Sequence, residues 1–156
     1  MGSCFSCCLS KDRNVLERYS NQEAPPLELK GLMRCRVVSV YDGDTVTVLV
    51  EHNGKPCTTK CRLSGIDCAE LKRHDEEERK VAQEGKAFME DLIGKELWMD
   101  AVGWGKYGGR TVGTLYRSWR RYNLGWEFSV NNELIAQGLA YRYNGRKKTP
   151  FREWYS

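Results

Sequence analysis

Two short stretches of the chain concentrate side chains that can do chemistry: Asp42-Gly43-Asp44-Thr45 and Arg62-Leu63-Ser64-Gly65-Ile66-Asp67-Cys68-Ala69-Glu70. Asp44 and Asp67 are both expected at strand ends. Two carboxylates converging there supply hard oxygen ligands of the kind Ca²⁺ takes, with a backbone carbonyl and waters filling the shell. Glu70, three residues after Asp67, is expected to begin a long helix. A carboxylate there accepts a proton from, or orients, an attacking water. Arg62 alternates off the strand that leads to Asp67. Its guanidinium is a bidentate clamp for a phosphate whose charge grows in a transition state. Each feature also has a plainer reading by itself. Asp-Gly-Asp makes a turn, carboxylates suit the positive end of a helix, and an arginine on a strand is often only a surface charge.

The elements that must position these groups are legible in outline. Leu32–Val40 is Val-rich and runs into the turn residues Tyr41-Asp42-Gly43-Asp44. Thr45–Glu51 alternates β-branched residues with others, as a half-buried strand does. His52-Asn53-Gly54-Lys55 carries Asn-Gly, a strong hairpin signal, and Thr58–Leu63 is the returning strand. The period then changes. Val81, Gly85, Phe88 and Leu92 fall on one helical face within the Pro-free stretch Leu71–Ile93, and Gly94 is a plausible stop. Glu96–Val102 and Arg110–Tyr116 read as two more strands, with a loop at 103–109 between them. A short helix capped by Asn131 or Asn132 ends at Gly138. Three strands, a long helix, two strands and a short helix predict an α+β chain that is mainly β. The expected fold is a five-stranded barrel with helices packed on it.

Composition bounds the classes. The 156 residues include 40% hydrophobic and 29% charged side chains, with five Trp, eight Tyr and four Phe, which is enough apolar mass for a core. No run of 18 apolar residues offers a membrane span, and the N-terminus lacks the apolar stretch of a secretory signal. The net charge of +4 permits an anionic partner. Seven cysteines, an odd number, argue against a disulfide framework. Cys35, Cys57 and Cys61 sit in strand readings as small buried hydrophobes. Cys57 and Cys61 have poor spacing for zinc without a second pair, and His52 and His74 show no ligand partner. The Pro25-Pro26 pair and a charge-neutral segment 1–30 divide the chain into a tail with linker (1–30) and a folded domain (31–156). The whole positive excess therefore falls in 31–156.

The stretches VYDGDTVTV, CRLSGIDCAE, GKYGGRTVG and VNNELIAQGLAYRY resemble the staphylococcal-nuclease-like, or thermonuclease, family over roughly residues 31–145. The resemblance implies an OB-type five-stranded barrel. It also implies a Ca²⁺-dependent nuclease that cleaves single-stranded DNA and RNA at the 5′ P–O bond and leaves 3′-phosphate products. Carried over by position, Asp44 and Asp67 are the calcium carboxylates, and Cys68 stands where the family uses a backbone carbonyl. Glu70 orients or activates water. Arg62 and Arg110 stabilise the pentacoordinate phosphorus, and Lys106 and Tyr107 lie near a terminal phosphate. The chain departs from the pattern in three places. One extra Gly precedes Arg110. The stretch Arg117–Phe128 is longer than the usual turn and is expected to be a hairpin. Its Arg117, Arg120 and Arg121 interleave with Trp119, Tyr122 and Trp126, which either stack single-stranded bases or pack on the barrel. The final helix is truncated, leaving Thr149-Pro150 and a compact remnant around Phe151, Trp154 and Tyr155. A non-catalytic OB-fold module that binds nucleic acid is the alternative function, and a scaffold whose aromatic hairpin recruits a protein is a third. No obligate protein partner is implied.

Met1-Gly2-Ser3-Cys4-Phe5-Ser6 matches the myristoylation pattern. Cys4, Cys7 and Cys8 lie within reach as palmitoylation sites, and two acyl chains make an anchor stable where one does not. The rival readings are an unstructured tail with accidental cysteines and a Cys-rich metal tract. Dual acylation predicts residence on the cytoplasmic face of a membrane, the plasma membrane first among them.

Overall fold

The structure is a computed structural model that describes residues 29–72, 74–105 and 109–154. The lipidation candidates Gly2, Cys4, Cys7 and Cys8 lie outside the described residues, as do Lys106, Tyr107 and Tyr155.

Strands β1 (Lys30–Asp42), β2 (Thr45–His52) and β3 (Lys55–Leu63) form the expected meander, with Asn53-Gly54 at the tip of the second hairpin. A short strand β4 (Ile66–Cys68) follows, then helix α1 (Glu76–Glu90). Strands β5 (Glu96–Trp104) and β6 (Thr111–Tyr116) complete a closed barrel in the order β1-β2-β3-β6-β5. Closure comes from a parallel pairing of β3 with β6, in which Arg62 stands opposite Val112. The chain ends through helices α2 (Trp119–Leu124) and α3 (Val130–Ala136), strand β7 (Ala140–Arg142) and a 3₁₀ turn at Phe151–Glu153. This is the mainly-β α+β barrel that the pattern of elements predicts.

Alternation explains which side chains fill it. Along β2 and β3 the inward positions include Val46, Val48, Cys57, Cys61 and Leu63, all buried. Cys35, Cys57 and Cys61 are buried and free, and burial pushes the Cys61 thiol up to about 12. A thiol so disfavoured as thiolate behaves as a hydrophobe. On α1 the buried stripe is Ala82, Gly85 and Met89, with Val81 and Phe88 only partly buried at its margin. Leu29 is already buried ahead of β1. Among the described residues no helix is long and apolar enough to cross a membrane.

Four expectations need correction. Helix α1 does not begin at Glu70. It begins at Glu76, because the carboxylate of Asp75 accepts from the N–H groups of Glu77 and Glu78 at 3.0 and 3.2 Å and fixes the helix start there. The stretch Arg117–Phe128 is not a hairpin. Ser118 caps α2, Gly125 ends it, and a 3₁₀ turn at Trp126–Phe128 follows, so the fold has a second short helix. The cap of α3 is neither Asn131 nor Asn132 but Ser129, whose hydroxyl accepts from the Asn132 N–H. Finally, Asp67 is not at the end of a barrel strand. It is the middle residue of β4, which pairs with β7 in a separate two-stranded sheet.

Candidate active site

Three backbone devices bring the two stretches together. The turn between β1 and β2 carries Asp44, and the Leu63 N–H donates to the Asp44 carbonyl at 2.7 Å. The same turn packs against β4. A Cβ on Gly43 would stand 3.0 Å from Cys68 Sγ, so any larger residue would press on Cys68 and make it give way. The Cys68 N–H then donates to Asp44 Oδ2 at 3.1 Å. Pairing of β4 with β7 sets Asp67 opposite Tyr141. The Ser64–Gly65 link between β3 and β4 is tied down by Asn131 of α3, whose amide donates to the Ser64 carbonyl at 2.8 Å and whose oxygen accepts from the Leu115 N–H at 3.1 Å.

Arg62 joins the two carboxylates. It pairs with Asp44 through one Nη and reaches Asp67 Oδ1 through the other at 2.6 Å. Both aspartates are buried, at 6% and 4% exposure, so each charge depends on this partner. Asp44 also accepts from the Thr45 hydroxyl at 2.9 Å. Burial nevertheless holds the Asp44 pKa above its ordinary 3.8. Arg62 and the Cys68 N–H pull it down, while Asp42 adds to the upward push. Burial alone would lower the Arg62 pKa, but Asp44 and Asp67 hold it above its ordinary value, so it stays charged.

On the far side, Asp67 Oδ2 accepts from the Tyr141 hydroxyl at 3.1 Å and pairs with Lys148 Nζ at 3.1 Å. Lys148 also reaches Glu70 Oε1 at 3.0 Å, which links the third carboxylate to the cluster. The site thus gathers Asp44, Arg62, Asp67 and Glu70 as the sequence predicts. Tyr141 and Lys148 are additions. Tyr141 lies in the quoted stretch VNNELIAQGLAYRY, and its pairing with Asp67 is the signal that marks it. Lys148 has no sequence signal, because its role depends on a chain reversal after β7.

Arg110 is not drawn into this cluster by any contact among the described residues. It precedes β6, whose Thr111 stands opposite Cys61, so its backbone lies one step from the strand that carries Arg62. Gly109 before it has a φ of +70°, a left-handed conformation that glycine takes without strain. The basic and aromatic residues in and around α2 are largely engaged. Trp119 packs on Trp98 at 5.2 Å and on Tyr122 at 5.4 Å, and Arg117 and Arg121 both pair with Glu133.

Among the described residues no three His, Cys, Asp or Glu side chains gather into a ready-made metal cluster. The donor chemistry of Asp44 and Asp67 still fits a hard cation. Two buried carboxylates share one guanidinium, and burial makes the charged form of Asp44 costly, a cost that a hard cation beside it would offset.

Residues 60–154, which run from the end of β3 to the 3₁₀ turn, match the family described as staphylococcal nuclease homologue. The chain belongs to that family. It is 32% identical over 124 residues to Protein ParB of Escherichia coli, covering 76% of this chain and 63% of the relative. It is 30% identical over 117 residues to a Haemophilus influenzae protein named an uncharacterized endonuclease, covering 74% of this chain and 56% of that relative. The chain therefore spans less than two thirds of the length of both relatives. In this nuclease family's frame, the match takes in Arg62, Asp67, Glu70, Arg110, Tyr141 and Lys148, whereas Asp44 lies just ahead of it.

Proposed function

We propose that this member of the staphylococcal nuclease family is a calcium-dependent nuclease that hydrolyses phosphodiester bonds of single-stranded DNA and RNA. The observation that carries the reading is the Asp44–Arg62–Asp67 bridge, with Glu70 joined to it through Lys148. Asp44 and Asp67 are the residues that would hold calcium. Bound there, the ion supplies positive charge to a phosphate oxygen as negative charge develops.

The protein's own groups do the rest. Arg62 has five N–H donors and uses two nitrogens on the aspartates, so further donors remain for a phosphate oxygen. Its aspartate partners keep it oriented and charged while it does so. Glu70 is the carboxylate that faces water, with 44% of its side chain exposed against 9% and 5% for Asp44 and Asp67. Its exposure supports assigning it to orient the attacking water and accept its proton. Arg110 is assigned as the second arginine on the phosphate. Lys106 and Tyr107 are assigned to a terminal phosphate, and the backbone carbonyl of Cys68 to the metal.

The tail reading joins this proposal. Myristate on Gly2 and palmitate on Cys4, Cys7 or Cys8 would hold the domain on the cytoplasmic face of a membrane, with the plasma membrane as the expected site.

Incubation of the pure protein with denatured DNA, in calcium and in chelator, tests the activity. Cleavage is expected in calcium and not in chelator, and Asp44→Ala is expected to abolish it while circular dichroism stays that of the wild type. Cleavage that survives chelation or this substitution defeats the metal assignment. Binding of single strands without cleavage would make the chain a tethered, non-catalytic OB-fold module instead.

A further inference from the structure

The chain beyond β7 folds back as a strap over the carboxylates. Residues 143–154 are held at both ends and in the middle. The Tyr143 N–H donates to the Gly65 carbonyl at 2.9 Å. The Tyr141 hydroxyl accepts from the Thr149 N–H at 3.0 Å while donating to Asp67. Trp154 stacks against Tyr141 at 4.7 Å and against Phe151 at 5.1 Å, and its Nε1 donates to the Thr149 carbonyl at 3.1 Å. Arg152 reaches Asp75 at the start of α1. This scaffold delivers one ammonium group, Lys148 Nζ, to Asp67 Oδ2 and Glu70 Oε1 together.

From this geometry we infer that Lys148 is an internal competitor for the divalent cation and sets the site's metal affinity. The inference rests on the calcium reading above. Asp67 Oδ2 already accepts from Tyr141 and Lys148, and Oδ1 from Arg62, so a cation that ligates Asp67 meets a resident ammonium a few ångströms away. Two positive groups at that separation repel strongly in a partly buried site. Half of the Lys148 side chain is exposed, so it has somewhere to go. The cation displaces the ammonium from Asp67, and Lys148 keeps only Glu70 or moves into solvent. Because Thr149 hangs on the Tyr141 hydroxyl and Trp154 on Thr149, that displacement is transmitted to the Trp154 ring.

Calorimetric titration of calcium chloride into the full chain, without nucleic acid, tests this. Lys148→Met and Lys148→Gln should each bind calcium about tenfold more tightly than wild type, because the competing charge is gone. Calcium should also change the tryptophan emission of wild type, and Trp154→Phe should lose that change while still binding the ion. Equal or weaker affinity in both Lys148 variants overturns the competitor role and leaves the calcium reading standing. An emission change that survives in Trp154→Phe overturns transmission through the strap. Absence of calcium binding in wild type and variants alike overturns both readings.

Discussion

Glu70 differs from the two aspartates in how it is held. Asp44 and Asp67 are buried and lock onto Arg62, whereas Glu70 faces solvent and meets a flexible lysine. A general base needs that freedom. Glu70→Gln keeps the size and removes the charge, so turnover should fall by about 10²–10⁴-fold. Affinity for an oligonucleotide should stay near wild type, since the lost interaction matters mainly in the transition state. Single-turnover cleavage and a binding titration on the same variant separate the two effects. A variant that cuts normally removes Glu70 from the chemistry. Arg110 poses the opposite case, a residue assigned by position that makes no contact with the carboxylate cluster. If its loop brings it to the phosphate, Arg110→Ala should lower kcat by about 10²-fold or more with little change in KM. Unaltered kcat would mean that the added glycine has moved this arginine off the substrate.

At the scale of elements, the barrel strands and α1 were legible because each repeats a simple period over six or more residues. Val46, Val48 and Val50 alternate, and of the expected stripe Val81, Gly85, Phe88 and Leu92, Gly85 and Leu92 are buried, with Ala82 and Met89 beside them. Strands β4 and β7 have three residues each, too few for any period, and they exist because they pair with each other. That pairing sets Asp67 in its place and reveals Tyr141, so Tyr141 was hidden with it, although Asp67 and Glu70 were named from the sequence. The strap was hidden for a related reason: a lysine's partners across 78 residues of sequence leave no local pattern. Asn131 shows the same gap between type and role. Its position at a helix start suggests a cap, yet it is fully buried and bonds Leu115, Ser64 and Gly113. Asn131→Ala removes this partner from the Leu115 N–H and the Ser64 carbonyl, while the Gly113 carbonyl keeps the Ser64 N–H, at about 1–3 kcal/mol for each group that water cannot reach. A total loss of about 2–4 kcal/mol is expected by urea denaturation. Activity should fall as well, because the Ser64–Gly65 link that sets Asp67 is released. A loss below about 0.5 kcal/mol, the range of an ordinary surface substitution, would refute the tie.

At the scale of the whole molecule, the barrel follows a segment that is charge-neutral through residue 30. Without a polybasic patch in the tail, electrostatic attraction to anionic lipid contributes little there, so the proposed attachment must come from acyl chains. The order of acylation then matters. Myristate on Gly2 gives only transient contact, with a partition constant of order 10⁴ M⁻¹. In this proposal that contact would bring Cys4, Cys7 and Cys8 to membrane-bound acyltransferases, and a second chain would trap the protein. Gly2→Ala should therefore release the protein to the cytosol and block palmitate incorporation as well. Changing the three cysteines to Ser should leave myristate in place but weaken retention. Neither set of changes touches the barrel, so cleavage by the purified variants should match wild type. Fractionation of eukaryotic cells expressing each variant, with metabolic labelling by both fatty acids, is the measurement. Unchanged membrane association of Gly2→Ala would defeat the acyl anchor and direct attention to the half-exposed Trp119 and Leu124 of α2, or to a protein partner.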